Sequence, residues 1–194
     1  MDCRITIDGN LPRALGLRKS ELKAAAQFFA AKSGARIGVP FRAVTVILQD
    51  DDFSAEVHEA INGAKGPTDV ITQRYDAMPG EAEGVYGELY VNTDQALRVA
   101  PKRRGWSPAK ELLLYVAHGM DHLSGADDLK PKDYDRMRRR ELEWIRKWVM
   151  IKHRGRMFKH RGTETQSSKR GLGAVPPDSS RSITPFSVSL CLCV

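Results

Sequence analysis

The stretch SPAKELLLYVAHGMDHLSGADD, Ser107 to Asp128, decides how the rest of the chain reads. Ser107 and Pro108 are an N-cap and a first-turn residue, and Leu112, Leu113, Val116 and Met120 recur behind them at helical spacing. The spacing predicts a helix carrying His118 and His122 one turn apart, so that both imidazoles leave the same face. Gly125 can end that helix in a left-handed conformation and turn the chain back, bringing Asp128 toward the two histidines. Two nitrogens and one carboxylate oxygen, with a position left for water, make the donor set of a catalytic zinc site. Structural zinc is normally closed by four protein ligands, often cysteines, and no such set exists here. His118, His122 and Asp128 are therefore the expected metal ligands.

Working outward, residues 4–8 read as a short strand and Ser20 to about Ser33 as a helix capped by Ser20, with Leu22, Ala25, Ala26 and Phe29 facing inward. Ala43 to Gln49 is β-branched and apolar, the pattern of a buried strand. Asp51 is placed to cap a helix with inner stripe Phe53, Val57 and Ile61, closed by Gly63. Asp69 to Thr72 and Val85 to Val91 read as two further strands, joined by a loop with Met78-Pro79-Gly80. Pro131 opens a last helix with the stripe Tyr134, Met137, Glu141, Ile145 and Trp148. Strands and helices interspersed irregularly predict an α+β fold, a small mixed β-sheet with helices packed on it.

The 194 residues, 41% hydrophobic and 28% charged, have the balance of a globular domain and exclude a wholly disordered chain. The longest strongly apolar run, Leu112 to Ala117, is too short to span a bilayer. Cys3, Cys191 and Cys193 sit at the chain extremes, which argues against a disulfide framework and for a reducing cytoplasm. The terminal Cys191-Leu192-Cys193-Val194 fits a prenylation box only superficially, and Cys-x-Cys alone supplies too few metal ligands.

The net charge is +7, and residues 151–194 hold eight Lys/Arg against Glu164 and Asp178, so nearly all of the excess lies there. That segment is rich in Gly, Ser, Pro and Arg and lacks periodicity; it reads as a basic, disordered tail following a folded domain of residues 1–150. Within the domain, Lys102-Arg103-Arg104 and Arg136 with Arg138-Arg139-Arg140 are local basic clusters, which more often than not are solvated faces. His153 and His160 belong to the basic tail, and His58 reads either as a satisfied structural residue or as part of a cleft.

The ligand spacing His-x-x-x-His-x-x-Gly-x-x-Asp also occurs in metzincin-like proteases, which require Glu directly after the first His as general base. Gly119 holds that position, so a metalloprotease is the lesser alternative. Asp121 lies on nearly the same face as the two histidines.

With these residues in place, the chain resembles the YbeY family of bacterial endoribonucleases and rRNA maturation factors. His118-Gly119, His122-Leu123, Gly125 and Asp127-Asp128 match the family's metal motif. Pro67-Thr68-Asp69-Val70-Ile71-Thr72 and Gly87-Glu88-Leu89 with Asn92 are similar to two of its strands. The resemblance covers about residues 40–150. It implies an α+β fold with the metal at the end of a cleft, one zinc ion, and hydrolysis of single-stranded RNA. It also implies maturation of the 3′ end of small-subunit (16S) rRNA and work on the ribosomal small subunit. Catalysis would pass through the metal held by His118, His122 and Asp128. Lys65, Arg74, Lys102, Arg103 and Arg104 are the candidate cations for the phosphodiester. Three positions depart from the family pattern: Asp128 stands for the commoner His, Asp121 for the usual Leu, and Asn62 for an Arg. A non-catalytic, zinc-containing ribosome assembly factor is the alternative from another class.

A flexible basic segment releases counterions from RNA. A chain ending at Met150 is therefore expected to bind single-stranded RNA more weakly than the full chain, and with a shallower dependence on salt, while still holding zinc. Binding titrations at several salt concentrations check this, and unchanged affinity and slope would show the tail to be inert.

Overall fold

The computed structural model describes residues 3–75, 77–159 and 189–191. Strands β1 (Arg4–Asp8), β2 (Phe41–Gln49), β3 (Val70–Tyr75), β4 (Val85–Asn92) and β5 (Ser189–Cys191) form one sheet in the order β1-β2-β4-β3-β5. β1, β2 and β4 run parallel, while β3 is antiparallel to both β4 and β5, so the sheet is mixed. The helices are α1 (Lys19–Ile37), α2 (Asp51–Asn62), α3 (Thr93–Val99), α4 (Pro108–Leu123) and α5 (Pro131–Lys159). This is the expected α+β architecture. Among the described residues no helix is long and apolar enough to cross a membrane.

Helix α4 lies on β3 and β4 and is flanked by α1 and α5, so every residue from Glu111 to Leu123 is buried. Two glycines permit that closeness. A Cβ on Gly119 would stand 2.7 Å from Leu89 Cδ2, and one on Gly87 would stand 2.5 Å from Leu123 Cδ2 and 2.6 Å from the Gln73 carbonyl oxygen. The family-like segments of β3 and β4 are thus the floor on which the histidine-bearing helix rests.

Several local expectations shift. Helix α1 is capped at Arg18 rather than Ser20, because the Arg18 N–H donates to Glu21 Oε2 at 3.1 Å and closes the first turn two residues earlier. Asp50, not Asp51, caps α2 by accepting from the Phe53 N–H at 2.9 Å. The stripe expected at Phe53, Val57 and Ile61 is rotated: Phe53 is 46% exposed while Ser54 and His58 are buried. The reason is polar. Ser54 Oγ donates to the Thr68 carbonyl at 3.1 Å and His58 Nδ1 to the Gly66 carbonyl at 2.8 Å, so α2 packs on its own exit loop through hydrogen bonds. Helix α3 has no counterpart in the periodicity reading; at seven residues it is set by the Asn92 cap, whose Oδ1 accepts from the Gln95 N–H at 2.9 Å.

Helix α5 continues through the expected boundary at 150 to Lys159. Apart from that stretch and β5, the segment 151–194, with His160 and the terminal cysteine pattern, lies outside the described residues. Lys152 reaches Glu21 on α1 at 2.8 Å, and Arg18 adds a contact at 3.3 Å. The Lys152 hydrogen bond, followed by that of Arg18, lowers the Glu21 carboxyl from 4.5 to about 2.

A carboxyl held low in the folded state stabilises it above the ordinary value and ceases to do so as pH falls through the folded value. Stability is therefore expected to drop as pH falls from 4.5 toward 2, and Lys152→Ala is expected to flatten that drop. Tm against pH for the two proteins measures it, and parallel curves would remove the clamp from the stability of the fold.

Candidate metal centre and its cleft

The last turn of α4 presents His118 and His122, and Gly125 (φ +78°) reverses the chain as expected. The reversal is reinforced by the Gly125 N–H donating to the His122 carbonyl at 2.7 Å and the Ala126 N–H to the Asp121 carbonyl at 3.2 Å. Asp128 then faces both imidazoles. His118 Nε2 and His122 Nε2 are 3.0 Å apart, His118 Nε2 is 3.5 Å from Asp128 Oδ2, and His122 Nε2 is 3.9 Å from Asp128 Oδ1. Ligand atoms ~2.1 Å from a tetrahedral ion stand about 3.4 Å from one another, so the three residues span a metal-sized gap.

The other ring nitrogens say what the Nε2 atoms are. His118 Nδ1 lies 2.7 Å from Glu141 Oε1, and His122 Nδ1 lies 3.0 Å from the Ala126 carbonyl oxygen. A carboxylate and a carbonyl only accept, so each Nδ1–H donates, and a neutral ring held this way offers a lone pair at Nε2. Two such lone pairs facing each other at 3.0 Å would repel, and a proton or a metal ion between them removes the repulsion. The site fits a divalent ion on its own chemistry.

His118 and Asp128 line a cleft of about 190 Å3 together with Asp69, Gln95, Arg103, Glu111, Tyr115, Tyr134, Met137, Arg138 and Glu141. Its walls carry four carboxylates against two guanidiniums, an imbalance that a divalent cation would cancel. Of the expected cations only Arg103 lines this cleft, held at 2.9 Å by Glu111 Oε2. Lys102 and Arg104 are exposed outside it, as is Lys65. Arg74 donates to the Leu123 carbonyl at 3.1 Å and so caps the end of α4. His58, satisfied by Gly66, takes no part in the cleft.

Asp121 turns away from the ligands. It is fully buried and bonds Arg140, whose Nε donates at 2.8 Å, while Arg36 Nε approaches at 3.4 Å. Burial pushes its carboxyl up, and Arg140 and Arg36 pull the other way. Asn62, at the end of α2, has a buried Oδ1 without a hydrogen-bond partner among the described residues.

The profile of the family described as Endoribonuclease YbeY matches residues 15–149. The chain belongs to the YbeY family. Its relatives include proteins named Endoribonuclease YbeY from Micrococcus luteus (38% identical over 109 residues, 53% of this chain and 69% of that one) and Rhodopirellula baltica (35% over 125 residues, 64% and 61%). Another, from Thermobifida fusca, is 30% identical over 115 residues, 56% of this chain and 74% of its own. A solution structure of TM1509 from Thermotoga maritima aligns over 86% of this chain and 99% of that one at 24% identity, with a TM-score of 0.49.

Sequence reasoning missed Asp69, Glu111, Glu141 and Arg138 as cleft residues of this YbeY member. Glu141 was legible only as a polar position on the inner stripe of α5, and that position is its signal. Carboxylates that accept from a ligand's distal N–H fix the ring and raise its basicity. Glu141→Ala is expected to weaken zinc binding by about 10- to 100-fold, with Glu141→Gln losing less because its amide oxygen still accepts. Competition with a zinc chelator measures both, and unchanged affinity in Glu141→Ala would deny the carboxylate its role.

Proposed function

We propose that this YbeY family member is a zinc-dependent endoribonuclease that cleaves single-stranded RNA. Its task in this reading is maturation of the 3′ end of small-subunit rRNA in the cytoplasm, on or near the ribosomal small subunit. The observation that carries the reading is the donor set of His118, His122 and Asp128 at the wall of a cleft that also holds arginines. Family membership and the names of the relatives add the RNA substrate.

When bound, zinc supplies Lewis-acid stabilisation of charge on a phosphoryl oxygen and makes water acidic enough to act near neutral pH. The chain's own residues do the rest. Glu141 and the Ala126 carbonyl lock the two rings in the tautomer that offers Nε2. Asp128 contributes the anionic third ligand. Arg103 and Arg138 bring positive charge to the walls, where a phosphodiester needs its own charge offset. The ring of paired groups beneath, Asp121 with Arg140 and Arg36, keeps α4 in register with α1 and α5.

Peptide hydrolysis is less well supported. The position that would carry a protease's Glu is Gly119, which is packed against Leu89 and Val70 under the helix and not turned to the cleft.

Metal analysis of the purified protein, then cleavage of a single-stranded RNA with and without chelator, tests the reading. Cleavage is expected to require the metal. His122→Ala is expected to lose both zinc and cleavage, and Asp128→His to retain zinc, because imidazole replaces carboxylate at similar bond length. Full cleavage by metal-free His122→Ala would overturn the mechanism, and zinc binding without RNA cleavage would favour an assembly factor.

A further inference from the structure

We infer that the face of α5 turned into the cleft is a subsite for one unpaired nucleotide beside the bond to be cleaved, with Tyr134 as the platform for its base and Arg138 as the contact for its phosphate. The inference rests on the RNA-hydrolase reading above. Tyr134, Arg138 and Glu141 stand at i, i+4 and i+7 of one helix and all line the cleft, so they form a single stripe. The stripe leads outward from a metal ligand. Glu141, 1% exposed, bonds His118; the Arg138 side chain is 27% exposed; Tyr134 is 46% exposed at the outer end.

Packing does not account for Tyr134. The same helix buries Met137, Trp144 and Ile145, whereas Tyr134 leaves a large apolar ring half in solvent and its hydroxyl takes no hydrogen bond among the described residues. Other exposed apolar side chains, such as Phe53, Met78 and Leu129, lie outside this cleft. An exposed aromatic face beside an arginine in the cleft suits a nucleobase, since every base offers a π face of its own. A paired base inside a helix has both faces covered by its neighbours, so the platform selects unpaired RNA.

Arg138 is placed for the phosphate one helical turn further in. Its Nη1 forms an ion pair with Glu141 Oε2 at 3.7 Å, too far for a hydrogen bond, and no hydrogen bond among the described residues takes its donors. Arg103 differs, being committed to Glu111 at 2.9 Å. A guanidinium with donors to give, between a metal ligand and an aromatic ring, matches the order of phosphate and base along a nucleotide.

The test is kinetic and binding together, on the full-length zinc-loaded protein. A short single-stranded RNA is prepared in versions carrying one abasic nucleotide at successive positions. Tyr134→Ala is expected to raise KM roughly tenfold, with kcat the less affected, and to weaken RNA binding measured by fluorescence anisotropy to a similar degree. Tyr134→Phe, which keeps the ring, recovers the loss, and Phe53→Ala serves as an exposed aromatic control without effect. An abasic nucleotide next to the cleavage site is expected to reproduce the Tyr134→Ala penalty in the unaltered protein and to add nothing further in Tyr134→Ala. Arg138→Ala is expected to lower affinity for intact and abasic RNA alike. If the unaltered protein binds and cleaves RNA but Tyr134→Ala and the abasic series leave KM and affinity unchanged, the subsite is wrong and the nuclease reading stands. If the unaltered protein neither binds nor cleaves RNA, both are wrong.

Discussion

A helix buried along thirteen consecutive residues cannot keep an unanswered polar group, and α4 carries four of them: Glu111, His118, Asp121 and His122. Leaving such groups without partners costs kilocalories each, so a partner must arrive from elsewhere in the chain. Arg103 answers Glu111 from the segment after α3, and Glu141 answers His118 from α5. Arg140 and Arg36 answer Asp121 from α5 and α1, and the Ala126 carbonyl answers His122 from the turn that follows. The neighbours of α4 are docked by these pairings as well as by apolar contact. The candidate metal centre is a consequence of the same requirement, because the partners that satisfy each Nδ1 also aim each Nε2 at Asp128.

The arginine run of α5 shows how helical geometry divides like residues into unlike roles. Successive residues step by about 100° around the axis. Arg138 therefore enters the cleft beside Glu141, Arg139 bonds the Asp135 carbonyl on the outside, and Arg140 turns inward to Asp121. A cluster that looks like a uniform basic patch in the sequence becomes one cation lining the cleft, one surface residue and one structural ion pair. The same logic separates Lys102 and Arg104 from Arg103, which alone of the three meets a carboxylate from α4.

The departures from the family pattern have unequal consequences in this molecule. Asp128 preserves a ligand atom within reach of both histidines. Asp121, a charge where an apolar residue is usual, is accommodated because two arginines from different helices converge on it. Asn62 has no such compensation: among the described residues its buried Oδ1 has no hydrogen-bond partner, and the side chain has neither the reach nor the charge of an arginine.

What the sequence by itself determined is whatever depends on neighbours a few residues apart. The His118 and His122 pair, the turn at Gly125, the return of Asp128, the strands β1 to β4 and the helices other than α3 all follow from periodicity and local backbone preference. Local reading falters where a boundary hangs on one hydrogen bond, as at Asp50 against Asp51, or where polar contacts rotate a helix, as in α2. Only the tertiary structure decided the partners of the ligands and the walls of the cleft. Glu141 lies 23 positions from His118 and Arg140 lies 19 from Asp121, and their meeting depends on how α5 crosses α4. The crossing is set by α5 packing on α4 and α1 while α4 rests on the sheet, a global outcome of where Gly87 and Gly119 let α4 settle, and no window of sequence contains it.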